Sequence, residues 1–63
     1  MTLEEWKDSK NIMWRQVARE LTETGFCTVY VNRLNSLRMG RNPTSDELKA
    51  LLHITNNEVD SFI

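Results

Sequence analysis

The stretch Gly40-Arg-Asn-Pro-Thr-Ser-Asp-Glu-Leu-Lys-Ala-Leu-Leu-His-Ile-Thr-Asn-Asn-Glu-Val-Asp-Ser-Phe-Ile63 contains two patterns that each predict the start of a helix. Thr44 is followed three residues later by Glu47, and Thr55 is followed in the same way by Glu58. In such a capping box the threonine hydroxyl accepts from the glutamate N–H, and the carboxylate accepts from the threonine N–H. The pattern therefore predicts two separate helices in residues 44–63.

The residues around these two starts predict how the helices are connected. Gly40 suits the left-handed residue that ends a preceding helix, and Pro43 prevents that helix from continuing. Only His53 and Ile54 remain to join the two predicted helices, so they must cross sharply, as in a helix-turn-helix. The hydrophobic residues that would pack between them follow each start at helical spacing: Leu48, Leu51, Leu52, Val59, Phe62 and Ile63.

Residues 40–63 resemble the third region of bacterial primary sigma factors and, more broadly, tri-helical helix-turn-helix domains. The sequence departs from that pattern at Lys49, where the family has a small residue, and at His53, where it has glycine. The resemblance implies a helix-turn-helix that contacts DNA, RNA polymerase or both. The residues that carry it are Gly40, Arg41, Pro43, Thr44, Glu47, Leu48, Ile54 and Val59.

Composition limits the chain to a single small domain. The 63 residues are 40% hydrophobic and 27% charged, which is ordinary for a globular protein and too apolar for a disordered tail. The net charge of −1 is spread evenly along the chain, so no strongly basic face is evident from composition. A domain of this size is close to the lower limit for an adequate core, so dimerisation is one expectation.

The remaining composition indicates a cytoplasmic protein. One cysteine cannot form an internal disulfide, no apolar run is long enough to cross a bilayer, and the first residues lack the features of a signal peptide. Two glycines and one proline favour long helices with few turns. We therefore predict an all-α fold, a small bundle of about four helices ending in a helix-turn-helix, with no membrane association.

Residues 1–39 are predicted to form two supporting helices. Thr2 and Glu5 form a third capping box, and Gly25 suits the end of the helix that starts there, although Ser9 is an alternative break and cap. The next segment, residues 27–39, has helical hydrophobic spacing. Residues 28–31 also have the β-branched and aromatic content of a strand. We predict helix for this segment because a lone strand would leave its backbone groups unpaired.

Catalysis is not expected from this sequence. Cys27 is the only thiol and His53 the only imidazole, and neither has a partner that the spacing would place beside it. One cysteine and one histidine cannot form a closed zinc site, and no glycine-rich phosphate loop is present, so no cofactor, metal or small-molecule substrate is expected.

Two functions remain open from the sequence. The first is a small transcription-associated helix-turn-helix protein of phage or mobile-element type, in which asparagines at the start of the last helix meet bases and basic residues meet phosphates. Against it, that helix carries Glu58 and Asp60 and no basic residue. The nucleic-acid residues expected on this hypothesis are Arg33, Arg38, Arg41, Lys49, Asn56 and Asn57.

The second function is a homodimeric helical module that inhibits or adapts a host protein. Tryptophan is frequent at binding hot spots, although Trp6 and Trp14 also suit a core. The residues expected to form the partner-binding patch are Trp6, Phe62 and Ile63.

Overall fold

The computed structural model describes residues 1–63 and contains four α-helices and no strand. The all-α class is therefore confirmed. None of the helices has both the length and the apolar surface that a bilayer crossing requires. The helices are α1 (Leu3–Lys10), α2 (Trp14–Glu23), α3 (Val31–Arg38) and α4 (Ser45–Ile54).

The first predicted helix is two helices in the structure. The Thr2–Glu5 capping box is present, which confirms the predicted start of α1. Asn11 ends α1 in the left-handed conformation at φ 57°, which asparagine adopts more readily than most residues. Ser9 is not a cap, because its hydroxyl donates to the Trp6 carbonyl at 2.7 Å. The chain then restarts at α2 after Met13, and α2 is the helix that ends before Gly25.

The prediction of helix over residues 27–39 is wrong for its first four residues. Residues 27–30 belong to no helix or strand, and α3 begins at Val31. Thr22 at the end of α2 holds this segment, because its hydroxyl oxygen lies 2.9 Å from the Val29 nitrogen and 3.1 Å from the Val29 oxygen. The Thr22 side chain thus takes the place of a strand partner at Val29.

Helix α4 begins where the sequence predicts it, with the capping box of Thr44 and Glu47. The second helix predicted to start at Thr55 is wrong. Asn56 and Asn57 are both left-handed, at φ 55° and 65°, so the chain reverses instead of starting another right-handed turn. Residues 55–63 contain no helix.

The buried Thr55 hydroxyl stabilises this chain reversal. It donates to the Leu51 carbonyl at 2.8 Å and accepts from the Val59 N–H at 3.3 Å. Glu58 instead donates its N–H to the Thr55 carbonyl, so the predicted Thr55–Glu58 capping box is not formed. The last residues then pass over the core without regular secondary structure, and Val59 and Phe62 are buried.

The core contradicts two of the three partner-binding assignments. Trp6 is 2% exposed and Phe62 is 4% exposed, so neither offers a surface to a partner. Only Ile63 of that predicted patch is exposed. A core of this size needs its largest apolar side chains inside. Its buried hydrophobic residues are Leu3, Trp6, Val17, Ala18, Leu21, Val29, Leu34, Leu37, Ala50, Leu51, Val59 and Phe62.

Replacing Thr55 with valine is expected to lower the free energy of unfolding by about 1–3 kcal/mol. Valine preserves the shape but leaves the buried Val59 N–H without an acceptor, and an unsatisfied buried donor has that cost. Urea denaturation followed by circular dichroism measures the difference. Thr28→Val is the matched control, because Thr28 is exposed. Equal midpoints for the two variants would contradict the assigned role of the Thr55 hydroxyl.

Candidate nucleic-acid interface

Arg33, one of the predicted phosphate-binding residues, is held by a carboxylate inside the protein. Its Nε and Nη2 each donate to Glu47 at 2.8 Å, and Nη2 also reaches the Asn42 carbonyl at 3.4 Å. Glu47 is buried and accepts in addition from the Thr44 N–H at 2.8 Å. The hydrogen bonds from Arg33, which outweigh the opposing effect of burial, lower the pKa of Glu47 to about 2.

This ion pair fastens α3 to the start of α4. It also raises the pKa of Arg33, and Nη1 is the part of the guanidinium that makes no hydrogen bond within the protein. Both halves of its fork are engaged by the Glu47 carboxylate, in the bidentate geometry that makes such pairs strong. Arg33 therefore stabilises the fold, and its ion pair with Glu47 keeps Nε and Nη2 from binding a phosphate.

The other predicted nucleic-acid residues lie on different parts of the surface. Arg41 is exposed in the loop between α3 and α4, and Lys49 is exposed on α4. Asn56 and Asn57 are exposed in the reversal after α4 and start no helix, so they do not occupy the position of recognition residues. Arg38, at the end of α3, is the member of the set that contacts the same aromatic ring as a second basic side chain.

Arg38 is stacked on an aromatic ring that also faces Lys7. The Arg38 Cζ lies 3.6 Å from the centroid of the Trp14 ring, and the Lys7 Nζ lies 5.2 Å from it. Such cation–π contacts fix the position of a cation while leaving the N–H groups at its edge available. One of them donates to Asn35 Oδ1 at 3.3 Å. Lys7 also donates to Asp8 Oδ1 at 2.9 Å, so Arg38 is the cation at the Trp14 ring that has no carboxylate partner.

The two sides of α2 differ in charge, and Glu23 lies at the edge of both. Arg15 and Arg19, one helical turn apart, line a shallow groove with Tyr30 and Val31 at the beginning of α3. We call this the α2–α3 groove. Its lining also includes Ala18, Thr22, Glu23 and Val29.

The opposite side of α2 is acidic and faces the end of α4. Gln16, Glu20 and Glu23 line a second groove with His53 and Ile54. The α4 side of α2 therefore disfavours anionic ligands, whereas on the α3 side two arginines outnumber the single carboxylate of Glu23.

Helix α3 presents an uncharged outward face beside the arginines of α2. Leu34 and Leu37 are buried, whereas Asn32 and Asn35 are exposed. Tyr30, immediately before the helix, is 71% exposed. The helix sequence VNRLNSLR contains no acidic residue. This face differs from the acidic segment after Thr55, which the sequence had indicated as the recognition helix.

Sequence reasoning did not identify Arg15 and Arg19 as interface residues. Their four-residue spacing does place them together on a polar helix face. What the sequence does not reveal is which element lies beside that face. The juxtaposition with Tyr30 depends on where α3 begins, and that start is set by the hydrogen bonds between Thr22 and Val29.

Cys27 and His53, the only thiol and the only imidazole, lie in surroundings that favour packing over catalysis. Burial, together with the negative charges of Glu47 and Asp46, raises the pKa of the Cys27 thiol, which disfavours the nucleophilic thiolate. The His53 ring lies edge-on to Phe26 with 6.0 Å between ring centroids. No group of three or more potential metal ligands is present.

Comparisons with protein-family models, with curated proteins and with solved structures find no match to this chain.

Proposed function

We propose that the protein binds duplex DNA through α2 and α3, with α3 in the major groove. The observation that carries the proposal is the placement of Arg15 and Arg19 along one groove with Tyr30 and Val31 at the start of α3. In a helix-turn-helix the second helix contacts bases through its N-terminal part, and the first helix lies across the phosphates. The groove supplies both kinds of contact on one surface.

The dimensions of α3 support this placement. Its eight residues make a helix of about 12 Å, comparable with the major-groove width of about 12 Å. Its outward face has amide and apolar groups, which suit base edges, and no carboxylate that a phosphate would repel. The helix-turn-helix expected from the sequence is thus proposed for α2 and α3 instead of residues 40–63.

The start of α2 also favours phosphate. Its first turn contains no acidic residue, and no side chain caps its N–H groups. A helix N-terminus attracts anions through these N–H groups and the helix dipole. Arg15 lies in this first turn, and the corner formed by Trp14, Lys7 and Arg38 lies next to it. A phosphate backbone passing over α2 would therefore meet positive groups at both ends of α3.

A role in transcription, through DNA alone or together with RNA polymerase, is the biological setting that we propose for such a protein. The protein-binding alternative is less well supported, because two of its three residues, Trp6 and Phe62, are inside the core.

Replacing Arg15 and Arg19 together with glutamine is expected to weaken binding to a short duplex by about 10- to 100-fold at low salt. Each arginine that neutralises a phosphate releases a counterion, so the slope of log K against log salt should also fall by about 2. Fluorescence anisotropy over a salt series measures both quantities. Circular dichroism verifies that the variant is folded.

The matched control is Arg41→Gln with Lys49→Gln, which removes the same charge from the α3–α4 loop and from α4. It should lower affinity much less and leave the salt slope nearly unchanged. Stronger loss in this control would place the interface on the surface first expected from the sequence. No binding to any duplex at low salt would exclude DNA as the ligand.

A further inference from the structure

The groups that α3 offers to a ligand are amides and apolar side chains. Asn32 and Asn35 are exposed. The Oδ1 of Asn32 accepts from the Arg33 N–H at 2.9 Å and that of Asn35 from Arg38 Nη1 at 3.3 Å, so each amide offers a ligand its NH2 group and one remaining lone pair.

Val31 is 38% exposed, and Tyr30 and Met39 flank the helix in exposed positions. Ser36 donates its hydroxyl to the Asn32 carbonyl, as a helical serine commonly does, and so contributes little. This face therefore offers a ligand mainly amide and apolar groups.

Neither arginine of α3 is free to read a base from the middle of the helix. Arg33 donates twice to Glu47 and is directed toward α4. Arg38 is the last residue of the helix, and one face of its guanidinium is covered by the Trp14 ring. Recognition helices contact bases mainly through their N-terminal residues, so Arg38 is placed for a phosphate.

These groups match one kind of base pair. In the major groove guanine is read chiefly by arginine or lysine, and cytosine by a carboxylate, whereas asparagine binds adenine N6 and N7 and apolar groups contact the thymine methyl. On the basis of the DNA-binding function above, we propose that α3 selects A·T base pairs in the major groove. Asn32 and Asn35 are assigned to adenine, and Val31 with Tyr30 to thymine methyl groups.

The spacing of the two asparagines sets the size of the selected site. Residues three apart in a helix lie on neighbouring parts of one face and are separated by about 4.5 Å along the axis. This separation is close to the ~3.4 Å between successive base pairs. Asn32 and Asn35 are thus expected to meet adjacent or nearly adjacent A·T pairs.

The experiment begins with selection of bound duplexes from a randomised pool by the whole protein, followed by affinity measurements on the enriched duplex. Replacing its core adenines one at a time with 7-deazaadenine, which lacks the N7 acceptor, is expected to weaken binding about tenfold or more at one or two positions. Replacing core thymines with uracil, which lacks the methyl group, should weaken binding less. The 3-deazaadenine replacement, which alters the minor groove, should have no effect.

Variants connect these effects to named residues. Asn35→Ala should lose affinity for the parent duplex and become insensitive to 7-deazaadenine at one position. Asn42→Ala, which removes an exposed amide from the loop after α3, should behave as the unmodified protein. Enrichment of a G·C core, or affinity unchanged by every 7-deazaadenine replacement, would overturn the proposal.

The outcomes separate this inference from the function on which it rests. Salt-dependent binding that requires Arg15 and Arg19 but enriches no sequence would leave DNA binding intact and exclude A·T selection. Absence of binding to the whole pool would exclude both.

Discussion

Replacing Trp6 with alanine is expected to remove roughly a third or more of the free energy of unfolding of the protein. Trp6 is 2% exposed, and truncating a buried tryptophan typically costs about 3–5 kcal/mol. A chain of 63 residues has a total stability of roughly 3–9 kcal/mol, so the loss is a large part of the whole. A thermal melt followed by circular dichroism should show a midpoint lower by at least roughly 12 °C.

The control for this prediction is Met39→Ala. Met39 is 89% exposed, and surface substitutions usually change stability by less than about 0.5 kcal/mol. Equal melting midpoints for Trp6→Ala and Met39→Ala would contradict the assignment of Trp6 to the core. It would also return Trp6 to the partner-binding role that the sequence left open.

Replacing Glu47 with glutamine is expected to destabilise the protein by about 2–3 kcal/mol at neutral pH. Glutamine retains the length of the side chain but loses the charge that holds Arg33, and hydrogen bonds to charged groups contribute about 1.5–3 kcal/mol each. The remaining arginine is about a third exposed, at 34%, so water compensates it in part. Urea denaturation measures the loss.

The same substitution should alter the response of the protein to acid. The pKa of Glu47 is about 2 in the folded protein, below its ordinary value of 4.5. Its contribution is therefore complete above about pH 4.5 and is lost as the pH falls toward 2. The unmodified protein should lose stability over this range more steeply than Glu47→Gln does.

Glu5→Gln is the matched control for this experiment. Glu5 occupies the equivalent position in the capping box of α1, where Thr2 lowers its pKa, but it is exposed and has no arginine partner. Its replacement should lower the free energy of unfolding less, and the variant should still lose most of the stability that the unmodified protein loses between about pH 4.5 and 2. Identical acid titrations for unmodified protein and Glu47→Gln would show that the Arg33 pair contributes nothing measurable.

The starts of α1 and α4 could be predicted from the sequence because they depend on residues close together in the chain. The capping boxes at Thr2 and Thr44 each begin a helix, because hydroxyl and carboxylate can satisfy N–H groups without help from the rest of the chain. Thr55 has the same spacing to a glutamate and begins none. Its hydroxyl is drawn into the core, where the Leu51 carbonyl and Val59 N–H need partners. The spacing of threonine and glutamate does not reveal that the core groups compete for the Thr55 hydroxyl.

The candidate interface was less predictable because it depends on tertiary pairing. Arg33 and Glu47 are separated by fourteen residues, and no local rule indicates that they meet. Once they do, Arg33 leaves the set of available cations and α3 keeps an uncharged outward face. The pairing of Arg15 and Arg19 with Tyr30 likewise follows from the position of the segment after α2.

Because the Glu47 carboxylate binds two partners, few other residues can replace it. One carboxylate completes the cap at Thr44 and also receives Arg33, so a shorter aspartate cannot reach both partners. In a library that randomises positions 33 and 47 together, the two residues should therefore covary. Single replacements at position 47 should be among the most strongly depleted of all polar positions.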